Sequence, residues 1–246
     1  MKIFNSIICF ITLFMLFCSL ENPKKQVFSI IINDYKTFNN FIRQDSVHYT
    51  RICLKGGFDD KNGAAKINID SFYNKLTQCI SLRQLEISNF HLKHIDKRLF
   101  NIRKLQNLDL GENDIDTIPY QIKKLKHLIE ISLRYNKLKS FNMLSSVPNL
   151  QFITLSHNSI HTIPDEIIQL KKLKVLHLGN NKITELPCSL SNFMELELSI
   201  GNNNIPKLLP PCFCKQYKSF GLIGASNDTY INCTDTIKNL FINPVW

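Results

Sequence analysis

Leucine stands at positions 82, 105, 128, 150, 173 and 196, at intervals of 23, 23, 22, 23 and 23 residues. Between these leucines the apolar residues return at the same offsets. The stretch Leu105 to Leu128, LQNLDLGENDIDTIPYQIKKLKHL, shows the layout. Leu108 and Leu110 alternate with polar residues, the period of a short half-buried strand. The second half, with Ile115, Ile118 and the PxxIxxL run, returns the chain to the next strand. A fixed period of this length predicts a stacked solenoid, in which each unit buries its apolar edge only against its neighbours.

The same columns run backwards. Ile69, Phe72, Leu76, Cys79 and Leu82 precede Leu92, Ile95, Leu99, Ile102 and Leu105 by 23 residues, which makes a degenerate first copy. The chain divides into a signal-like segment 1–20, an N-terminal cap 21–68, repeats over 69–208 (one degenerate, six clear) and a cysteine-bearing C-terminal cap 209–246. Within the cap, YTRICLK has strand-like alternation around Ile52 and Leu54. Asn113, Asn136, Asn158, Asn181 and Asn203 form a column after the strand, where a side chain with both donor and acceptor satisfies backbone groups at a buried bend. Phe90 occupies that place in the first clear copy, and an irregular edge is expected there. Pro119, Pro164 and Pro187 fall where no ladder hydrogen bond is needed. The third copy is one residue short and has Asn142-Met143 at the proline step, so its outer segment is expected to differ.

The repeats follow LxxLxLxxNxLxxLPxxIxxLxx, best kept in LQNLDLGENDIDTIPYQIKKL, LQFITLSHNSIHTIPDEIIQL and LKVLHLGNNKITELPCSLSNF. The chain resembles the leucine-rich repeat proteins, most closely the 23-residue class found in Ras-pathway scaffolds. That resemblance implies an α/β fold, a short horseshoe with a parallel β-sheet on the concave face and helical or irregular segments on the convex face. LPPCFCKQYKSFGLIGASNDTYINC is similar to the cysteine-bearing caps of extracellular members, which open with a CxC, here Cys212 and Cys214. Such caps use four cysteines. Only Cys233 follows, so Cys188 would have to join or one thiol stays free.

Composition adds the surroundings. The opening MKIFNSIICFITLFMLFCSL has Lys2 before an apolar run too short for a membrane span and reads as a secretory signal. Its cleavage site is poor, and an uncleaved anchor in the membrane is the alternative. Without it the cysteines are Cys53, Cys79, Cys188, Cys212, Cys214 and Cys233, an even set suited to disulfides in a secreted protein and to thiols or zinc in a reducing compartment. A Cys53 to Cys79 bridge and a buried apolar role for Cys79 are both open. The sequons at Asn227 and Asn232 are candidate glycan acceptors. The net charge of +10 comes from 30 Lys and Arg against 20 Asp and Glu. These lysines are scattered, with no basic-aromatic patch, which disfavours nucleic acid. Arg103-Lys104 and Lys171-Lys172 share one column of the repeat, Lys123-Lys124 stands three residues earlier in its own copy, and all three pairs are expected on the convex side, with an acidic membrane surface as the partner they would suit.

No GxSxG, GxxxxGK, HExxH or CxxC is present, GGFDDKNG lacks the ligands of a calcium loop, and His91 and His94 read as a solvent-facing pair. No enzyme, cofactor or metal is expected. What remains is a surface formed by the residues around each LxL. Glu86, Asp109, Glu112 and Glu130 make its first half acidic, while Arg134, Tyr135, Phe152, His157 and His177 make the second half aromatic and histidine-bearing, with Phe152 expected exposed beside Tyr135 and Val175. The expected function is a secreted, non-catalytic module that binds a protein through its concave face, with a basic host or cell-surface protein as the candidate partner. The rivals are a coat component held by convex lysines and cysteines and an intracellular scaffold.

Overall fold

The computed structural model describes residues 29–44, 48–56, 67–193, 195–205, 212 and 221–222. The signal-like segment 1–20, Cys214, Cys233, Asn227 and Asn232 lie outside the described residues. Parallel strands β1 (Ser29–Ile32), β2 (Arg51–Lys55), β3 (Gln84–Ser88), β4 (Asn107–Asp109), β5 (Glu130–Ser132), β6 (Phe152–Thr154), β7 (Val175–His177), β8 (Glu197–Ser199) and β9 (Gly221–Leu222) form one nine-stranded sheet in chain order. The fold is the expected leucine-rich repeat solenoid. Its return segments are 3₁₀ helices, η1 (Lys97–Asn101), η2 (Tyr120–Lys124), η3 (Asn142–Ser146), η4 (Asp165–Gln169) and η5 (Cys188–Asn192).

Register follows from the period of two. Leu85, Leu108, Ile131, Ile153, Leu176 and Leu198 are mutual partners across the sheet, and all six point into one continuous core. A slip of one residue would turn this whole row outward. Pro119, Pro164 and Pro187 open η2, η4 and η5 with φ near −70° and extended ψ. Phe141 takes that place before η3 with φ −133° and ψ 22°. The short third copy thus keeps its 3₁₀ turn and changes only the path into it.

Asparagine side chains tie the copies together. Asn136 Nδ2 donates to Leu110 O of the preceding copy at 2.9 Å and to Leu133 O of its own at 3.1 Å, while its Oδ1 accepts Ile115 N–H at 2.9 Å. Asn158 repeats the pattern on Leu133 O, Leu155 O and Leu138 N–H. Each shared carbonyl therefore receives two amide donors. At the first clear copy Phe90 packs against the core and its N–H donates to Asn113 Oδ1 at 3.0 Å, so the next asparagine serves the bend that lacks its own.

The N-terminal segment joins the same sheet. Here α1 (Tyr35–Arg43) and α2 (Ile69–Leu76) take the outer positions that 3₁₀ turns hold later. Asp34 Oδ1 caps α1 through Thr37 N–H at 2.7 Å, and Asn68 Oδ1 caps α2 through Ser71 N–H at 3.0 Å. Phe38 and Phe41 pack on Phe72 with ring centroids 6.4 and 5.7 Å apart. After β2 the chain crosses so close to the next copy that a Cβ on Gly56 would lie 1.7 Å from Asn89 O, which only glycine permits.

The cysteines partition differently from one expectation. Cys188 and Cys212 form a disulfide, with Cα atoms 5.7 Å apart. Cys53 and Cys79 are free and buried, and no bridge joins them. Cys53 pairs in register with Glu86, on the sheet face opposite the core row containing Ile52 and Leu54, whereas Cys79 belongs to the core behind the sheet. Alternation along the strand holds the two side chains on opposite faces. Burial raises the Cys79 thiol pKa to about 11, which suits an inert apolar filler.

Candidate concave interface

Two columns of side chains cover the concave face. Arg51, Gln84, Asn107, Glu130, Phe152, Val175 and Glu197 occupy the first position of successive strands, and Cys53, Glu86, Asp109, Ser132, Thr154, His177 and Ser199 the third. A third row follows each strand at Asn89, Glu112, Tyr135, His157, Asn180 and Asn202, all with φ between 53° and 59°. Left-handed backbone at non-glycine residues costs roughly 1 kcal/mol each and aims these side chains over the rim of the sheet. The site residues thus fall into three rows: Glu86, Asp109 and His177 in one, Glu130 and Phe152 in another, Glu112, Tyr135 and His157 on the rim. Arg134 stands beside the rim and pairs with Glu112 at 3.0 Å.

The rim side chains are linked. Tyr135 stacks on His157 with centroids 4.0 Å apart and rings 11° from parallel. His157 Nε2 meets Asn180 Nδ2 at 3.2 Å, and Asn202 Nδ2 donates to Asn180 Oδ1 at 2.9 Å. His177 Nε2 lies 3.2 Å from Glu197 Oε1. Tyr135 is 47 % exposed, the largest open aromatic of the concave side. Phe152 and Val175 depart from expectation: Phe152 is half-buried and Val175 buried, because strand neighbours in the same column flank and cover them.

The acidic half is not uniformly solvated: Glu112 is exposed, whereas Glu86, Asp109 and Glu130 are half-buried. Arg51, Cys53, Glu86, Asp109, Glu130 and Ser132 line a pocket of about 30 Å³ across β2 to β5. Loss of water pushes the Asp109 carboxyl pKa up, against the Gly111 N–H that donates to its Oδ1 at 2.8 Å. Desolvation also raises Glu130, opposed by the Asn107 amide at 2.5 Å. Gly111 allows this approach, since a Cβ there would stand 3.0 Å from Asp109 Oδ1. Glu86 differs, being paired with Lys55 at 3.4 Å. Arg51, Cys53 and Lys55 were absent from the sequence-derived surface because they precede the regular repeats. Ser132, between the two apolar residues of its strand, falls on that surface in the sequence pattern, but nothing in the pattern marks it as buried.

Outside this face, Lys123 and Lys124 end η2, and Lys123 lies over the Tyr120 ring at 3.5 Å. His91 and His94 face different carboxylates, Asp114 at 3.1 Å and Asp116 at 3.7 Å. Among the described residues no group of three His, Cys, Asp or Glu is placed to hold a metal ion, and no helix is long and apolar enough to cross a membrane.

A parallel sheet one strand per copy, asparagines bridging successive copies and an open inner face define a leucine-rich repeat solenoid. Leucine rich repeat models match residues 80–138, 118–160 and 148–192, and the chain is a leucine-rich repeat protein. Human leucine-rich repeat protein 1 is 38 % identical over 63 residues, 26 % of this chain and 15 % of that protein. Among solved structures, an LRR protein of Leptospira interrogans is similar at 22 % identity and TM-score 0.56, covering 75 % of this chain and 53 % of its own. An internalin of Listeria monocytogenes gives 22 % and 0.55, covering 79 % and 57 %. The ectodomain of the Arabidopsis thaliana receptor kinase GASSHO1/SCHENGEN3, solved with CASPARIAN STRIP INTEGRITY FACTOR 2, gives 21 % and 0.57, covering 85 % and 27 %. At these identities the likeness is one of fold. The chain spans about half of the Leptospira chain and a small part of the human relative.

Proposed function

We propose that this protein is a secreted, non-catalytic module that binds another protein through its concave face. The observation that carries the reading is the rim row, in which the half-open Tyr135, stacked on His157 and continued by Asn180 and Asn202, is held in a backbone conformation that costs stability. Strain kept over several copies and aimed at an open face is a mark of a recognition surface. Stacked aromatics of limited flexibility make good interface anchors. The Cys188 to Cys212 disulfide favours an oxidising compartment. The plant ectodomain of similar fold was solved in complex with CASPARIAN STRIP INTEGRITY FACTOR 2, an example of a leucine-rich repeat body with a bound factor.

The test is capture of cell-surface proteins by immobilised wild type, by Tyr135→Ser/His157→Ser and by Lys123→Glu/Lys124→Glu. Loss of the same captured band with the rim variant alone is the expected result. Retention there with loss in the lysine variant would transfer function to the convex side, as in the coat reading.

A further inference from the structure

We propose that the pocket between β2 and β5 receives the ammonium group of a lysine side chain from the bound protein. The inference rests on the concave-face reading and adds the chemistry of one subsite.

Asp109 and Glu130 are both drawn out of water, yet neither has an ion-pair partner among the described residues. Each carboxylate is held by a neutral donor, Gly111 N–H or the Asn107 amide. A desolvated charge without a direct ion pair is costly to the folded protein, and an incoming cation would offset that cost. Ser132 supplies an independent sign of a missing ligand. It is 8 % exposed, lines the same pocket, and its Oγ makes no hydrogen bond of acceptable geometry although it lies near enough to Asp109 to favour the ionised carboxylate. An ammonium brings three donors, enough for both carboxylates and this hydroxyl.

Size and charge select the cation. A space of about 30 Å³ holds one or two water-sized groups. The ammonium, a single heavy atom with its charge concentrated on it, uses this small space best, whereas the guanidinium of arginine spreads its charge over a plane of four atoms. Positive charge already near the pocket does not fill the role: Arg134 acts on Asp109 but is paired with Glu112 at the rim, Lys55 is paired with Glu86, and Arg51, at the β2 end beside Cys53, has contacts of its own. Because the pocket opens onto the sheet, a segment lying along the concave face can insert a lysine here and continue toward Tyr135.

The experiment titrates ¹⁵N-labelled full-length protein with acetyl-lysine methylamide and with its arginine and norleucine counterparts, following the Asn107 and Gly111 amide signals. Saturable shifts are expected with the lysine probe and binding weaker by roughly tenfold or more with the other two. Asp109→Asn and Glu130→Gln, near-isosteric changes, should each weaken the lysine probe by roughly tenfold, and Ser132→Ala should weaken it by a smaller factor. Circular dichroism of each variant checks folding, and Ser132→Ala decides the matter should either carboxylate variant fail to fold. Equal binding of the norleucine or arginine probe, indifference to the substitutions, or the same shifts produced by calcium chloride instead of the lysine probe would overturn the inference. Absent shifts with rim-dependent capture of a surface protein would sink the pocket alone and leave the concave-face reading standing.

Discussion

The bridging asparagines give a sharp test of how the copies are coupled. Asn136→Ala removes the acceptor of the Ile115 N–H, a fully buried donor, while Leu110 O keeps the Asn113 amide at 3.0 Å and Leu133 O keeps the Asn158 amide at 2.9 Å. One orphaned donor costs about 1–3 kcal/mol, and the lost donor bonds add about 1 kcal/mol. Asn158→Ala does the same to the buried Leu138 N–H and leaves Leu133 O with Asn136 at 3.1 Å. Only the double variant strips Leu133 O of both amides, and no other donor reaches that carbonyl among the described residues. The pair should therefore lose about 1–2 kcal/mol more than the sum of the single changes. Asn136 and Asn181 share no carbonyl, so their double variant should be additive within about 0.5 kcal/mol. The assay is urea unfolding in a common background of trimethylamine oxide, which keeps the weakest variant folded. Additivity in both pairs, or equal coupling in both, would refute the shared-carbonyl argument.

Two further outcomes follow from the ends and the pocket. Reduction of Cys188 to Cys212, which closes a separation of 24 residues, should lower stability by about 3 kcal/mol, read as a fall in the urea midpoint with reductant in wild type and none in Cys188→Ala/Cys212→Ala. The raised pKa values of Asp109 and Glu130 mean that the folded state binds their protons more tightly than the unfolded chain. Their contribution is most favourable at low pH and is lost as pH climbs above the ordinary values of 3.8 and 4.5. Asp109→Asn/Glu130→Gln should accordingly gain stability relative to wild type between pH 3 and pH 7, measured by urea midpoints at both; a constant difference would contradict the desolvation argument.

Much of the architecture was legible because a period of two inside a period of 23 fixes both register and facing. Leu108, Ile131 and Ile153 could hardly pack otherwise. The first strands were less readable. Ser29 and Arg51 are partners across 22 residues, but Arg51 and Gln84 across 33, and this interruption hides β1 and β2 from the leucine spacing. Their outward residues were then not placed on the concave face, Cys53 being considered only for a disulfide, and with Arg51 and Cys53 went the walls that desolvate Asp109 and Glu130. The burial of Phe152 depends on its neighbours in adjacent strands, which a residue-by-residue reading of exposure omits. The left-handed row was masked by its mixture of residue types. Asn89, Asn180 and Asn202 carried the hint, since asparagine tolerates that conformation, while Glu112, Tyr135 and His157 disguised it.

The exchange of α-helices for 3₁₀ turns along the outer side has a mechanical consequence. Adjacent strands sit about 4.8 Å apart, whereas an α-helix with its side chains needs about 10 Å of width. Units built on α1 and α2 therefore spread the outer wall like wedges, and the sheet must bend there to stay hydrogen-bonded. The slimmer η1 to η5 ask for less bending. The greatest bending is therefore called for around β2 and β3, where it would tip the side chains of neighbouring strands toward one another. That is the place where Asp109, Glu86 and Cys53 close into a pocket, so the shape of the outer wall helps set the depth of the inner one.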